Sequence, residues 1–172
     1  MKLFKKLLFG VLCCAVPALI FSQDFSNKGK EFWISYSYHV GMSGGGNPVM
    51  TLYITSDVNT SYSVEIYGVS TLQSGTITAG QVVTAIVPIS CFINNEGLFT
   101  GRTIRVLTDK NSVVYAYITR SAVSGATVCL PTPVLGKEYY STNFTQISNE
   151  PNSNSFFTII AVTTWPAVIV PD

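Results

Sequence analysis

The residues Phe32-Trp33-Ile34-Ser35-Tyr36-Ser37-Tyr38 (FWISYSY) set the pattern from which the fold can be predicted. Large side chains at every second position alternate with Trp33 and two serines, so each set points to one face of an extended chain. The same period of two returns in residues 50–55 (MTLYIT) and 63–67 (SVEIY). A period of two that is rich in Val, Ile, Thr and Tyr predicts half-buried β-strands.

Further strands are predicted at Val82–Val87 and in residues 103–107, 113–119 and 156–162, with another beginning at 168–170. The run 156–162 is nearly all apolar, which predicts a strand covered on both faces. Turn-forming residues separate the runs, and residues 109–112 (DKNS) predict a tight hairpin between 103–107 and 113–119. Because the helical period is missing, the sequence predicts an all-β fold, an antiparallel β-sandwich or jelly-roll-like domain.

The composition limits the class of protein. The chain has 172 residues, of which 47% are hydrophobic and 11% charged, and its formal net charge is +1. This length predicts one domain. The high apolar content excludes an intrinsically disordered chain, and the balanced charge argues against a basic nucleic-acid-binding protein.

Residues 1–22 have the layout of a secretory signal peptide. Lys2, Lys5 and Lys6 form a basic start, an apolar core follows, and Ser22 precedes a polar segment. The apolar core of about 15 residues is short for a bilayer span, which needs roughly 20. We therefore expect a secreted or cell-surface chain, residues 23–172. Removal of the three lysines leaves seven basic against nine acidic residues, a net charge of −2.

Two cysteines, Cys91 and Cys129, remain after the leader. In an oxidising compartment they could form one disulfide, and the alternative is two buried thiols that do not meet. Zinc is disfavoured because the single histidine, His39, is distant from both.

No residue pattern predicts catalysis, so we expect no catalytic residue, metal ligand or cofactor. A histidine-dependent nucleophile would have to use His39, which is expected to be a surface residue beside a glycine-rich loop. That loop, residues 41–46 (GMSGGG), lacks the Gly-Lys-Ser/Thr ending of a phosphate-binding loop. A glycosidase needs two facing carboxylates. The acidic residues of the chain after the leader are scattered singly: Asp24, Glu31, Asp57, Glu65, Glu96, Asp109, Glu138, Glu150 and Asp172.

Short segments spread over residues 28 to 170 together resemble one known family. In order, they are Gly29-Lys30-Glu31-Phe32-Trp33, Leu52-Tyr53-Ile54, Glu96-Gly97, Ile104 and Val106, Val113-Val114-Tyr115-Ala116-Tyr117, Ser124-Gly125-Ala126-Thr127, Leu130-Pro131, Leu135-Gly136, Glu138-Tyr139-Tyr140, Phe156-Phe157 and Ile160-Ala161. This ordered set resembles the N-terminal domain of the IgG Fc-binding protein family, found in a mammalian mucus protein and in many secreted or surface bacterial proteins. Residues 164–167 (TWPA) depart from the family's usual Asp-Asn-Thr turn.

The resemblance implies an extracellular, non-catalytic binding or adhesion module that recognises a host or other extracellular protein, immunoglobulin-like or mucin-type. Because bacterial relatives are commonly long, the chain is expected to be truncated or part of a longer protein. The ligand itself is not implied, since a shared fold does not transfer a ligand. Two other interpretations stay open: a carbohydrate-binding module with a coplanar row of exposed aromatic rings, and a hydrolase that uses His39.

Overall fold

A computed structural model describes residues 26–38, 47–142 and 155–162. These residues contain nine strands: β1 Gly29–Ile34, β2 Tyr36–Ser37, β3 Val49–Ser56, β4 Thr60–Ile66, β5 Ser70–Ile77, β6 Val82–Val87, β7 Phe92–Ile93, β8 Ile104–Arg120 and β9 Val123–Cys129. Two short 3₁₀ turns, Ile89–Cys91 and Thr132–Val134, complete the regular structure. The predicted all-β, antiparallel fold is confirmed, in the form of a curled sheet.

Strand β8 is the centre of a seven-stranded sheet. Its first part pairs with β4 on one side and β1 on the other, and its second part pairs with β3 and β9. Strands β5 and β6 extend the sheet beyond β4 and β3. A separate parallel pair joins β2 to β7. The sheet therefore has two halves, β5-β4-β8-β1 and β6-β3-β8-β9, which share one continuous strand.

The core forms from the alternate residues that point to the inner face of the curled sheet. Both halves contribute fully buried side chains, including Phe32, Leu52, Val64, Ile104 and Val114. These are positions at which the period of two predicts inward-facing residues, and the same period continues from β1 into β2, where Tyr36 is buried. Burial of each such side chain contributes about 1.5–3 kcal/mol to folding.

The predicted hairpin at residues 109–112 is wrong, because β8 runs straight through this segment. Residues 109–111 are exposed and lie level with the turn between β3 and β4, where the strand passes from one half of the sheet to the other. Hydroxyl groups replace the missing strand partners. Thr60 Oγ1 accepts a hydrogen bond from the Lys110 N–H (2.9 Å), and Ser56 Oγ donates to the Asn111 carbonyl (2.9 Å).

The predicted strand at 156–162 is also wrong for the residues described. Residues 155–162 have no strand structure, and Phe156, Phe157 and Ile159 are each about half exposed. The apolar run alone does not make a strand, because a strand needs a neighbouring backbone that supplies hydrogen bonds. The leader, His39, the loop 41–46, residues 164–167 and the strand start at 168–170 lie outside the described residues.

Candidate functional site

One outward surface of the sheet has no charged residue, and we call it the uncharged face. It is formed by the outward sides of four strand segments: β6, β3, the second part of β8, and β9. Residues directly opposite each other on paired strands share a face, so the registers of these four strands define its members. None of them is charged. They are Val82, Thr84, Ile86, Val49, Thr51, Tyr53, Thr55, Val113, Tyr115, Tyr117, Thr119, Ser124, Ala126 and Val128.

Several apolar members of the uncharged face are open to solvent. Ile86 is 70% exposed and Tyr115 is 45% exposed, and Val49, Val82 and Val128 are exposed as well. With about 4.8 Å between strands and about 3.3 Å per residue, four strands of seven residues project over roughly 400 Å². The largest surface patch of a typical monomer has a similar area and is often functional.

Three tyrosines lie at the middle of the uncharged face. Tyr53 and Tyr115 are directly opposite each other on β3 and β8, and Tyr117 lies two residues along β8. The rings of Tyr53 and Tyr117 are 6.3 Å apart and inclined by 55°. Tyrosine offers a large apolar ring and a polar hydroxyl, and for that reason it is enriched in protein-binding surfaces.

The outward side of the other half of the sheet is different because it carries a charged cluster. Arg105 on β8 donates from Nε to Glu65 on β4 (2.6 Å), and Glu31 on β1 lies 3.8 Å from its guanidinium. The guanidinium also stands over the rings of Trp33 and Tyr67, at 5.5 and 5.1 Å. Such cation–π contacts contribute about 0.5–1 kcal/mol each. Arg105 and the two carboxylates satisfy one another across β1, β8 and β4, whereas the buried Trp33 Nε1–H has no hydrogen-bond partner among the described residues.

A shallow cleft of about 230 Å³ lies on the inner side of the sheet, beyond β2. Tyr36, Tyr38 and Phe156 form one wall, Ala116 and Ile118 form the floor, and β9 closes it. Tyr38 and Phe156 meet edge to face, with ring centroids 6.2 Å apart. The Tyr36 hydroxyl is engaged, since it donates to the Thr51 carbonyl at 2.7 Å, and burial raises its pKa. The lining also includes Ser35, Ser37 and Thr127, and no lining residue is Asp, Glu, His, Lys or Cys.

Cys91 and Cys129 are both buried, and their thiols are free in this structure. Cys91 ends the first 3₁₀ turn and Cys129 ends β9 opposite Val114, and each fills a core position as a small apolar residue would. Burial raises the pKa of Cys129 to about 12, and it also raises the pKa of Cys91. Both thiols are therefore protonated and poor nucleophiles at neutral pH.

The structure also places two further acidic residues and Asn59, which begins the sequence Asn59-Thr60-Ser61. Asp57 pairs with Lys28, and the carboxylate of Asp109 accepts from the Ser61 hydroxyl. Asn59 accepts a hydrogen bond from the Ala79 N–H (2.8 Å). Within residues 26–38, 47–142 and 155–162, no three His, Cys, Asp or Glu side chains gather as metal ligands would, and no helix has the length and apolarity to cross a membrane.

Comparison with known proteins adds no relative. The sequence matches no family model and no curated protein, and the fold matches no solved structure.

Proposed function

We propose that the chain is a secreted or cell-surface module without catalytic activity, and that it binds an extracellular protein, immunoglobulin-like or mucin-type, through the uncharged face. The secretory layout of residues 1–22 supports the location. The observation that carries the proposal is the combination of exposed Tyr53, Tyr115 and Ile86 with no charged residue among their neighbours.

The physical reason is the cost of removing charges from water. A face of Val, Ile, Thr and Tyr can be covered by a partner without leaving a buried, unpaired charge. Its hydroxyl groups supply hydrogen bonds, and its apolar groups supply the hydrophobic gain. On the other half of the sheet, a partner would have to cover Arg105 and its two carboxylates, which already satisfy each other.

A carbohydrate ligand is the alternative, and the three tyrosines of the uncharged face are the observation in its favour. Sugar rings stack on exposed, roughly coplanar aromatic rings. The rings of Tyr53 and Tyr117, two of these three tyrosines, are instead inclined to each other by 55°. This geometry favours a protein partner over a stacked sugar.

The test uses residues 23–172, which contain every described residue. The chain is immobilised and exposed to an IgG Fc fragment, to purified mucin and to a glycan array. We expect saturable binding to Fc or to mucin. Binding only to isolated glycans would support the alternative, and no binding to Fc or mucin would contradict the proposal.

A matched pair of variants locates the surface. Tyr115→Lys puts a charge at the centre of the uncharged face, and Ser74→Lys puts the same charge on the exposed outward side of β5, in the other half of the sheet. We expect Tyr115→Lys to weaken binding at least about tenfold, as loss of a central interface tyrosine does. Ser74→Lys should bind as the wild type does. Equal loss in both variants would exclude the uncharged face as the binding site.

A further inference from the structure

In the part of the chain that the structure describes, strand β6 is an edge strand, and its own sequence has none of the usual features that prevent pairing. Within the described residues it pairs with β3 alone. Its sequence, VVTAIV, has no charge, no proline and no glycine, and its register with β3 is free of bulges. Natural sheets normally blunt exposed edges with at least one of these devices, because a bare edge is a template for another strand.

The other edges of the sheet are protected or weaker. Pro131 bridges to Phe32 and so covers the outer side of β1. β5 contains Gly75 and pairs with β4 through a bulge at Val64/Glu65. β9 contains Gly125 and has the sequence VSGATVC. Because glycine and serine have low strand propensity whereas Val, Ile and Thr have high propensity, β6 is the edge best suited to take another strand.

The outward residues of β6 are complementary to a copy of themselves. They read Val82, Thr84 and Ile86, and all three are exposed. In an antiparallel pair related by a two-fold axis at Thr84, each Val82 lies opposite Ile86 of the other copy, and the two Thr84 side chains lie opposite each other. Apolar β-branched pairs and Thr–Thr pairs are both favourable across strands.

Charge does not oppose this association. The uncharged face continues from β6 into β3 and β8, so two copies would bring no like charges together near the edge. The net charge of residues 23–172 is only −2. A partner of another kind would have no charged group on β6 to recognise, whereas a second copy matches the apolar, Thr, apolar order of the strand.

We propose that two copies of the chain associate through antiparallel pairing of β6 with β6, with Thr84 on the two-fold axis. The pairing joins the two curled sheets edge to edge and makes one surface from the two uncharged faces. The interface is isologous, as the common two-fold dimers are. It does not depend on the proposed binding function, because it is measured without Fc or mucin.

The first test is the mass of residues 23–172 in sedimentation equilibrium. At about 100 µM, a dimer with a micromolar Kd is nearly all formed, so the wild type should have twice the monomer mass. Thr84→Lys puts a charge opposite its own copy and should raise the dimer Kd at least about tenfold. Ser74→Lys, at the matching position on β5, and Tyr115→Lys, on the face but away from the edge, should stay dimeric. Circular dichroism checks that each variant folds.

The second test determines the register by oxidative cross-linking. Thr84→Cys should give a disulfide-linked dimer, because each introduced thiol faces its copy. Val82→Cys should not, because Val82 faces Ile86 and is about 13 Å from its own copy, beyond disulfide reach. The native Cys91 and Cys129 are buried and give little background. A monomeric wild type, dissociation by Tyr115→Lys, or equal cross-linking at 82 and 84 would overturn the proposal.

Discussion

At the scale of single residues, hydroxyl groups make the continuous path of β8 possible. Thr60 and Ser56 bond to the backbone of residues 110 and 111, and Thr108 Oγ1 and Ser112 Oγ both donate to the Lys110 carbonyl (2.9 and 3.1 Å). Ser56, Thr60, Thr108 and Ser112 are nearly all of the buried polar residues among those described. Without such partners, these part-buried backbone groups between the two halves of the sheet would lose their hydrogen bonds within the protein.

The substitution Thr60→Val tests this role. Valine keeps the shape of threonine but leaves the Lys110 N–H without its acceptor, so we expect a loss of about 1–3 kcal/mol in the free energy of unfolding, measured in urea. Thr76→Val on the exposed outward side of β5 is the matched control and should change stability by less than about 0.5 kcal/mol. Equal effects of the two variants would mean that the passage of β8 from one half of the sheet to the other does not need the Thr60 hydroxyl.

The two buried thiols predict a loss of stability in alkali. In the folded chain, burial raises the pKa of Cys129 from 9.0 to about 12. The folded state therefore keeps its proton between these values while the unfolded state loses it. The stabilisation is fully present below pH 9 and is lost as the pH rises through the folded pKa. One such group lowers the free energy of unfolding by up to about 1.4 kcal/mol per pH unit.

Urea unfolding of the wild type and of Cys129→Ala at pH 8, 9, 10 and 11 checks the prediction. The wild type should lose stability above pH 9, and Cys129→Ala should lose it less steeply, although Cys91 and Tyr36, whose pKa values are also raised, still contribute. If the free energy of unfolding fell equally steeply with pH in both proteins, Cys129 would not be the cause of the loss of stability above pH 9.

At the scale of elements, the period of two predicts those strands in which inward residues are apolar and outward residues polar. β4 follows this pattern, and Tyr62, Val64 and Ile66 are buried as it requires. Strand β5 is not predicted, because STLQSGTI is polar and only Ile77 is fully buried. It is a strand because β4 supplies its hydrogen bonds, which is a property of the neighbour and not of the segment.

The wrong predictions at 109–112 and 156–162 have the same physical origin. Turn-forming residues in DKNS suit a hairpin locally, but the flanking runs pair with β4 and β3 and not with each other. The apolar run 156–162 has the composition of a buried strand, yet no described strand pairs with it. Local sequence reports propensity, whereas strand partners are decided by contacts between distant segments.

Two isoleucines on neighbouring strands test the assignment of inner and outer faces. Ile54 on β3 is fully buried, and Ile86 on β6 is 70% exposed. Ile54→Ala should lower the free energy of unfolding by about 2–5 kcal/mol, because it removes core contacts and leaves a cavity. Ile86→Ala should cost less than about 0.5 kcal/mol in the monomeric Thr84→Lys background. Comparable losses in the free energy of unfolding of the two variants, measured in urea, would contradict the assignment of Ile54 to the inner face and Ile86 to the outer face.

At the scale of the whole molecule, the outer surface of the sheet is divided between a charged half and an uncharged half. The period of two places Tyr115 and Tyr117 on one face of their strand, but it does not identify the outward face, because residues 82–87 (VVTAIV) and 113–118 (VVYAYI) are apolar or aromatic at nearly every position. The convergence of Tyr53, Tyr115 and Ile86 on one face cannot be predicted from the sequence, because it depends on the strand order β6-β3-β8-β9 and on the registers of these strands. The low charge content of 11% is the signal in the sequence that indicates a surface of this kind.

The most direct measurement of the proposed binding surface is hydroxyl-radical footprinting of tyrosine oxidation, with and without the Fc fragment or mucin. Tyr139 and Tyr140, which are 71% and 91% exposed and are not members of the uncharged face, serve as internal controls. We predict that the partner protects Tyr53 and Tyr115 at least about threefold and leaves Tyr139 and Tyr140 unchanged, as burial at an interface centre requires. Protection of Tyr139 and Tyr140 with no change at Tyr115 would contradict the assignment of binding to the uncharged face.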